Sequence, residues 1–122
     1  MANFDSFPGL RLPGGFIIVR LEFVTEPMED AVGRSALAKT KIIGHEIELA
    51  ILSSLSDEEK SVTMYHELLE AMTVASLEVP TSVQAFNEKD FELAAYKAYE
   101  QFGPASPDSV SRMLQFYGFG EK

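Results

Sequence analysis

Ile43-Gly44-His45-Glu46-Ile47-Glu48-Leu49-Ala50-Ile51-Leu52, followed across Ser53-Ser54 by Leu55-Ser56-Asp57-Glu58-Glu59, is the stretch that decides the fold class. Ile43, His45, Ile47, Leu49 and Ile51 share one face of an extended chain, and Gly44, Glu46 and Glu48 share the other. That alternation predicts a strand with a solvated side, as on an outer or edge strand. Glu, Leu and Ala are also good helix formers, so a helix over 44–52 competes, but the period of two favours the strand. The chain then changes character. Ser56 followed three residues on by Glu59 is a capping box, and Asp57, Glu58 and Glu59 put negative charge where a helix dipole favours it. A helix is predicted from Asp57 to about Ser76 or Leu77, with Pro80 barring continuation.

Upstream, Phe16 to Thr25 reads as a strand with Ile17, Val19, Leu21 and Phe23 on one face and Arg20 and Glu22 on the other. Glu26 to Gly33 reads as a loop. A second extended region runs from about Arg34 to Leu52, with a bend expected at Lys39-Thr40-Lys41. The first fifteen residues carry Pro8, Gly9, Pro13, Gly14 and Gly15 and read as an irregular lead-in, packed over the core through Phe4 and Phe7. Downstream, Asn87 caps a second helix, with Asp90 three residues on and Phe86 and Phe91 placed as a hydrophobic staple. Phe91, Ala94, Ala95, Ala98, Tyr99 and Phe102 form its apolar stripe, and Gly103-Pro104 closes it. Ser106-Pro107 opens a third helix, with Val110, Met113, Leu114 and Tyr117 inward and Gly118 at its end. Strands first and helices second make one α+β domain over residues 1–122, a small, mostly antiparallel sheet followed by three helices.

Lys plus Arg number 10 against 19 Asp plus Glu, a net charge of −9, which repels phosphate backbones and anionic membranes. No nucleic-acid or membrane partner is expected. Cysteine is absent, which excludes disulfides, thiolate metal sites and a cysteine nucleophile. No window is long and apolar enough to span a bilayer, and the N-terminal residues lack the pattern of a signal peptide, so a cytoplasmic location is expected.

The long helix contains Tyr65-His66-Glu67-Leu68-Leu69-Glu70-Ala71. Read against the metallopeptidase pattern H-E-x-x-H, its first two letters stand and the second histidine is replaced by Glu70. Residues four apart lie about 40° apart round a helix, so His66 and Glu70 are neighbours and can share an ion. Val62, Tyr65, Leu69 and Met72 form an apolar stripe beside them, which sets the pair at the border of a buried face. Thr63 and Thr73 lie on the same general side and are expected to hydrogen-bond to the site. The remaining histidine, His45, reads as a core residue bonded to backbone, with lining of a cleft as its sharper alternative.

From about Val32 to Phe119 the chain resembles the small bacterial and phage zincin-like proteins, the minimal metallopeptidase-like domains. The residues that carry the likeness are the β-rich half ending at Ile43 to Ile51, the turn Leu55-Ser56-Asp57-Glu58-Glu59 and the helix reading Thr63-Met64-Tyr65-His66-Glu67-Leu68-Leu69-Glu70-Ala71. The resemblance implies His66 as a zinc ligand, Glu67 as catalytic base, and a third ligand from a later element. No histidine follows position 66, so that ligand would be a carboxylate. Glu88, Asp90 and Glu92 are candidates, and Glu88, directly after the cap residue Asn87, is preferred. One histidine with two carboxylates is a harder set than two histidines with one, so manganese or iron would suit it as well as zinc. The implied function is a metal-dependent hydrolase of peptidase or amidase type acting on a peptide or protein. The alternative is a catalytically inactive scaffold of the same kind that holds a partner protein.

Overall fold

The computed structural model describes residues 3–29 and 35–120. The strands are β1 (Arg11–Leu12), β2 (Phe16–Val24), β3 (Met28–Glu29), β4 (Ser35–Ala36), β5 (Ala38–Ile43) and β6 (Glu46–Leu52), and the helices are α1 (Asp57–Ala75), α2 (Glu88–Phe102) and α3 (Pro107–Phe116). β1-β2-β6-β5 form one sheet and β3-β4 a separate two-stranded ribbon. Two of the three pairings in the larger sheet are antiparallel, and β2 and β6 run parallel at its centre. The architecture is α+β, a small sheet followed by three helices.

β6 is a strand, as its alternation predicts, with Ile47, Leu49 and Ile51 buried and Glu46 exposed, but it is not the outer or edge strand expected: it is paired on both sides, between β2 and β5. The extended region before it folds differently from expectation. Lys39-Thr40-Lys41 does not bend; it lies within β5. The chain turns instead at Gly44-His45, a two-residue hairpin loop between the paired Ile43 and Glu46, with Gly44 at φ 62°. Glycine in the first position of such a loop takes the positive φ that matches strand twist, and this local signal outranks the longer alternation through Ile43. Consequently Ile43 and His45 are exposed rather than facing the core.

β2 departs from its predicted face because of a bulge. Ile18 pairs with Ile47 but Arg20 pairs with Glu48, so Val19 is an extra residue. One extra residue exchanges the two faces of a strand beyond it. Phe16 and Ile18 therefore point inward before the bulge, while Leu21 and Phe23 lie beside Leu49 and Ile51 after it. Val19, expected inside, is 37% exposed. The expected loop at Glu26–Gly33 carries β3; residues 30–33 of it lie outside those described. The lead-in holds β1 and a short 3-10 turn at Pro13–Gly15, and Phe7 is fully buried with Phe4 packed against it.

All three helices start at the predicted caps. Ser56, Asn87 and Ser106 each accept from the backbone N–H three residues on, and each box is closed reciprocally. The Phe86–Phe91 staple forms, with ring centroids 5.2 Å apart. α1 lies between the sheet and the other helices, burying Val62, Met64, Tyr65, Leu68, Leu69 and Met72. The face of α2 that meets α1 is largely alanine: Ala94, Ala95 and Ala98 are buried. Small side chains allow the two helix backbones to approach closely, which is what carries the start of α2 to His66. No helix among the described residues is long and apolar enough to cross a membrane.

Tyr65 ties the helices together. Its hydroxyl donates to the Gly103 carbonyl oxygen at 2.6 Å and lies 2.8 Å from Ser109 Oγ, linking α1 to the end of α2 and the first turn of α3. Removing that hydroxyl takes the donor from the part-buried Gly103 carbonyl, while Ser109 Oγ keeps its bonds within the first turn of α3. Tyr65→Phe is therefore expected to cost about 1–3 kcal/mol in urea unfolding; an unchanged midpoint would show that water replaces the bond.

Candidate metal centre

His66 and Glu70 are one turn apart on α1, and His66 Nε2 lies 3.5 Å from Glu70 Oε1. The same nitrogen lies 3.5 Å from Glu88 Oε2, supplied by the first residue of α2. The Phe91 ring, one turn into α2, stacks over the imidazole with centroids 6.4 Å apart. Glu67 completes the group: one atom each from His66, Glu67 and Glu70 lie within 4.8 Å of one another. Of the three carboxylates considered for the third position, Glu88 is the one brought to His66. Glu88 does so although its side chain is 71% exposed, whereas Asp90 is occupied in capping α2 through the Asn87 N–H, and Glu92, exposed too, makes no contact with His66 among the described residues.

His66 Nε2 is buried and has no hydrogen-bond partner among the described residues. Its two 3.5 Å contacts are longer than the ~2.7–2.9 Å of a charge-assisted hydrogen bond. They match the edge of a coordination tetrahedron: ligand atoms ~2.0–2.2 Å from a central ion stand roughly 3.3–3.6 Å apart. Three carboxylates converge on one imidazole, and no Lys or Arg among the described residues pairs with any of them. A ring nitrogen without a hydrogen-bond partner among the described residues, carboxylate oxygens 3.5 Å from it and an excess of negative charge are what a divalent ion would satisfy. The His66-Glu67-Glu70 group could hold a metal ion.

The electrostatics follow from the same crowding. The Glu70 carboxylate, with help from the charges of Glu67 and Glu88, holds the His66 imidazolium above its ordinary range against the opposing effect of burial. His66 in turn holds Glu70 below the usual carboxylate range. Burial pushes Glu67 up, although its bond from Thr40 and the nearby His66 pull the other way. A metal must displace the proton from His66, so zinc affinity is expected to fall about tenfold per pH unit below the raised His66 value. In metal-free protein the sign reverses. The stabilisation from His66 is complete below its ordinary value of 6.5 and is lost as pH rises through the raised one. Thermal melts across pH 5–9 with and without zinc should therefore show opposite slopes near neutrality; parallel slopes would reject the shared site.

The polar partner of Glu67 is not one of the threonines expected to serve it. Thr73 donates to the Leu69 carbonyl oxygen within its own helix, and Thr63 makes no hydrogen bond to the site among the described residues. Thr40 on β5 donates to Glu67 Oε1 at 2.6 Å. Its register opposite the buried Leu49 puts it on the helix-facing side, between the outward Lys39 and Lys41. The period-two pattern Ala38, Thr40, Ile42 is the sequence signal for this placement, and it runs straight through the expected bend.

Beside Glu67 and Glu70 the gap between β5 and α1 opens as a cleft of about 270 Å³, lined also by Ala38, Thr40, Ile42, Ala71 and Val74. His45 lies elsewhere. Rather than a core residue it is exposed, its ring tilted against Phe16 with centroids 4.8 Å apart, and it lines a separate cavity of about 620 Å³ at the far end of α1. Set against family models, curated proteins and solved structures, the chain matches none, so the fold class and a cluster able to bind a metal are what sequence and geometry together establish.

Proposed function

We propose that the protein is a metal-dependent hydrolase of zincin-like type, acting on an amide bond of a peptide or protein laid in the cleft between β5 and α1. The observation that carries this reading is the cluster of His66, Glu67 and Glu70 at the cleft wall, with one atom of each within 4.8 Å of the others, and Glu88 Oε2 3.5 Å from His66 Nε2. His66, Glu70 and Glu88 would hold the ion, zinc or the harder manganese or iron. When bound, such an ion supplies Lewis-acid polarisation of a carbonyl and a more acidic water.

The chain's own residues supply the rest. Glu67 is placed to take a proton from the attacking water and return it to the departing amine. Its burial raises its proton affinity toward that of a useful base. β5 is the edge of the sheet, so its outer backbone groups are available to pair with an extended peptide. Ala38, Ile42, Ala71 and Val74 give the cleft an apolar wall suited to an aliphatic side chain. The acidic surface supports a peptide rather than a nucleic-acid partner.

The test is calorimetric titration of chelator-stripped protein with zinc, manganese and iron(II), followed by assay of the loaded protein on a mixed peptide library by mass spectrometry. One equivalent of bound metal and new peptide termini are expected. No uptake at saturating metal would overturn the proposal, and stoichiometric uptake without cleavage would leave the scaffold that holds a partner protein.

A further inference from the structure

Of His66, Glu67, Glu70 and Glu88, Glu67 alone is tied to the sheet by a side-chain hydrogen bond among the described residues. Thr40 Oγ1 bonds Glu67 Oε1 at 2.6 Å, joining residues 27 apart in sequence, from the edge strand to the helix. Glu67 also has an oxygen within 4.8 Å of ligand atoms of both His66 and Glu70. A carboxylate that near could swing into the coordination shell, where it would be a ligand and no longer free to carry a proton. What separates the two roles is which neighbour holds its oxygen.

We propose that Thr40 is a positioning residue that keeps Glu67 out of the coordination shell of an ion held by His66, Glu70 and Glu88. The inference rests on the metal-site reading above and adds a division of labour among its carboxylates. Threonine suits the task because branching at Cβ restricts its rotamers, so the hydroxyl is aimed and not mobile. Pairing of Thr40 with Leu49 fixes its height along the helix, and the hairpin turn at Gly44-His45 fixes that register. Glu70 and Glu88 have no comparable tether to the sheet among the described residues; their contacts run to His66. Without the Thr40 hydroxyl, the half-buried Glu67 carboxylate would lose its partner and turn to the nearest cation.

The experiment uses cobalt(II) as the probe on three full-length proteins: unmodified, Thr40→Val and Thr40→Ser. The visible cobalt spectrum reports the number and type of ligands, and competition with a chromophoric chelator reports affinity. Thr40→Val should shift the band position and intensity and tighten cobalt binding by about tenfold or more as the extra carboxylate joins. Thr40→Ser, which keeps the hydroxyl, should match the unmodified protein. A hydroxyl that merely braces β5 against α1 would lower the melting temperature of Thr40→Val and leave spectrum and affinity alone; that result overturns the inference while the metal site stands. Failure of the unmodified protein to take up cobalt overturns both. A shift shared by Thr40→Val and Thr40→Ser would show that strand packing, not the hydroxyl, sets the geometry, and would overturn it as well.

Discussion

Glu67→Gln is expected to leave the fold and metal uptake intact and to reduce peptide hydrolysis by about 10²- to 10⁴-fold, the span usual for loss of a general base. The amide has nearly the volume of the carboxylate, so the wall of the cleft keeps its shape. Its oxygen can still accept from the Thr40 hydroxyl, now at 2.6 Å from Glu67 Oε1. What it cannot do is accept a proton at neutral pH. Removing a charge that burial disfavours should, if anything, raise the melting temperature slightly. Hydrolysis rates and metal stoichiometry measured on the same preparation separate the roles. Unchanged turnover would reject Glu67 as proton carrier, and lost metal would make it a ligand.

His66→Ala is expected to have the larger effect on binding. The imidazole is the one neutral donor in the group and the point on which Glu70 and Glu88 converge, each 3.5 Å from Nε2. Altering groups that merely support a metal ligand costs 10- to 100-fold in affinity, so removing the shared ligand should exceed about 100-fold and end stoichiometric uptake. A thermal consequence follows. The ion would join α1 to the first residue of α2, so metal at 100 times its Kd should stabilise the unmodified protein by about 2.7 kcal/mol, and His66→Ala should lose that gain. Glu92→Gln serves as the control, since Glu92 is exposed on α2 and is not brought to His66. Should His66→Ala bind zinc as tightly as the control, the metal centre lies elsewhere.

The parts of this molecule that could be read from sequence are those governed by neighbours in the chain. Caps at Ser56, Asn87 and Ser106 are decided by a side chain and a backbone N–H three residues away, and all three form. His66 and Glu70 are adjacent because helical geometry puts residues i and i+4 side by side. Strand faces proved less legible. Alternation holds in β6, but in β2 the extra residue Val19 reverses it, and a bulge is visible only once the partner strand sets the register. The turn at Gly44-His45 is masked in the sequence because Ile43 and His45 continue the alternation of β6.

By itself, then, the sequence determined that strands precede three helices, the helix starts at their caps, the acidic character, and a histidine and carboxylate pair on one helical face. Only the tertiary structure decided that Glu88, 22 residues from His66, reaches the same ring nitrogen, and that Thr40 holds Glu67. Each of those contacts depends on how closely α2 packs on α1 through its alanines and on where β5 lies against the helix. Packing distances and strand registers are set by the whole core at once, whereas a cap or a helical neighbour is set within a single turn of chain.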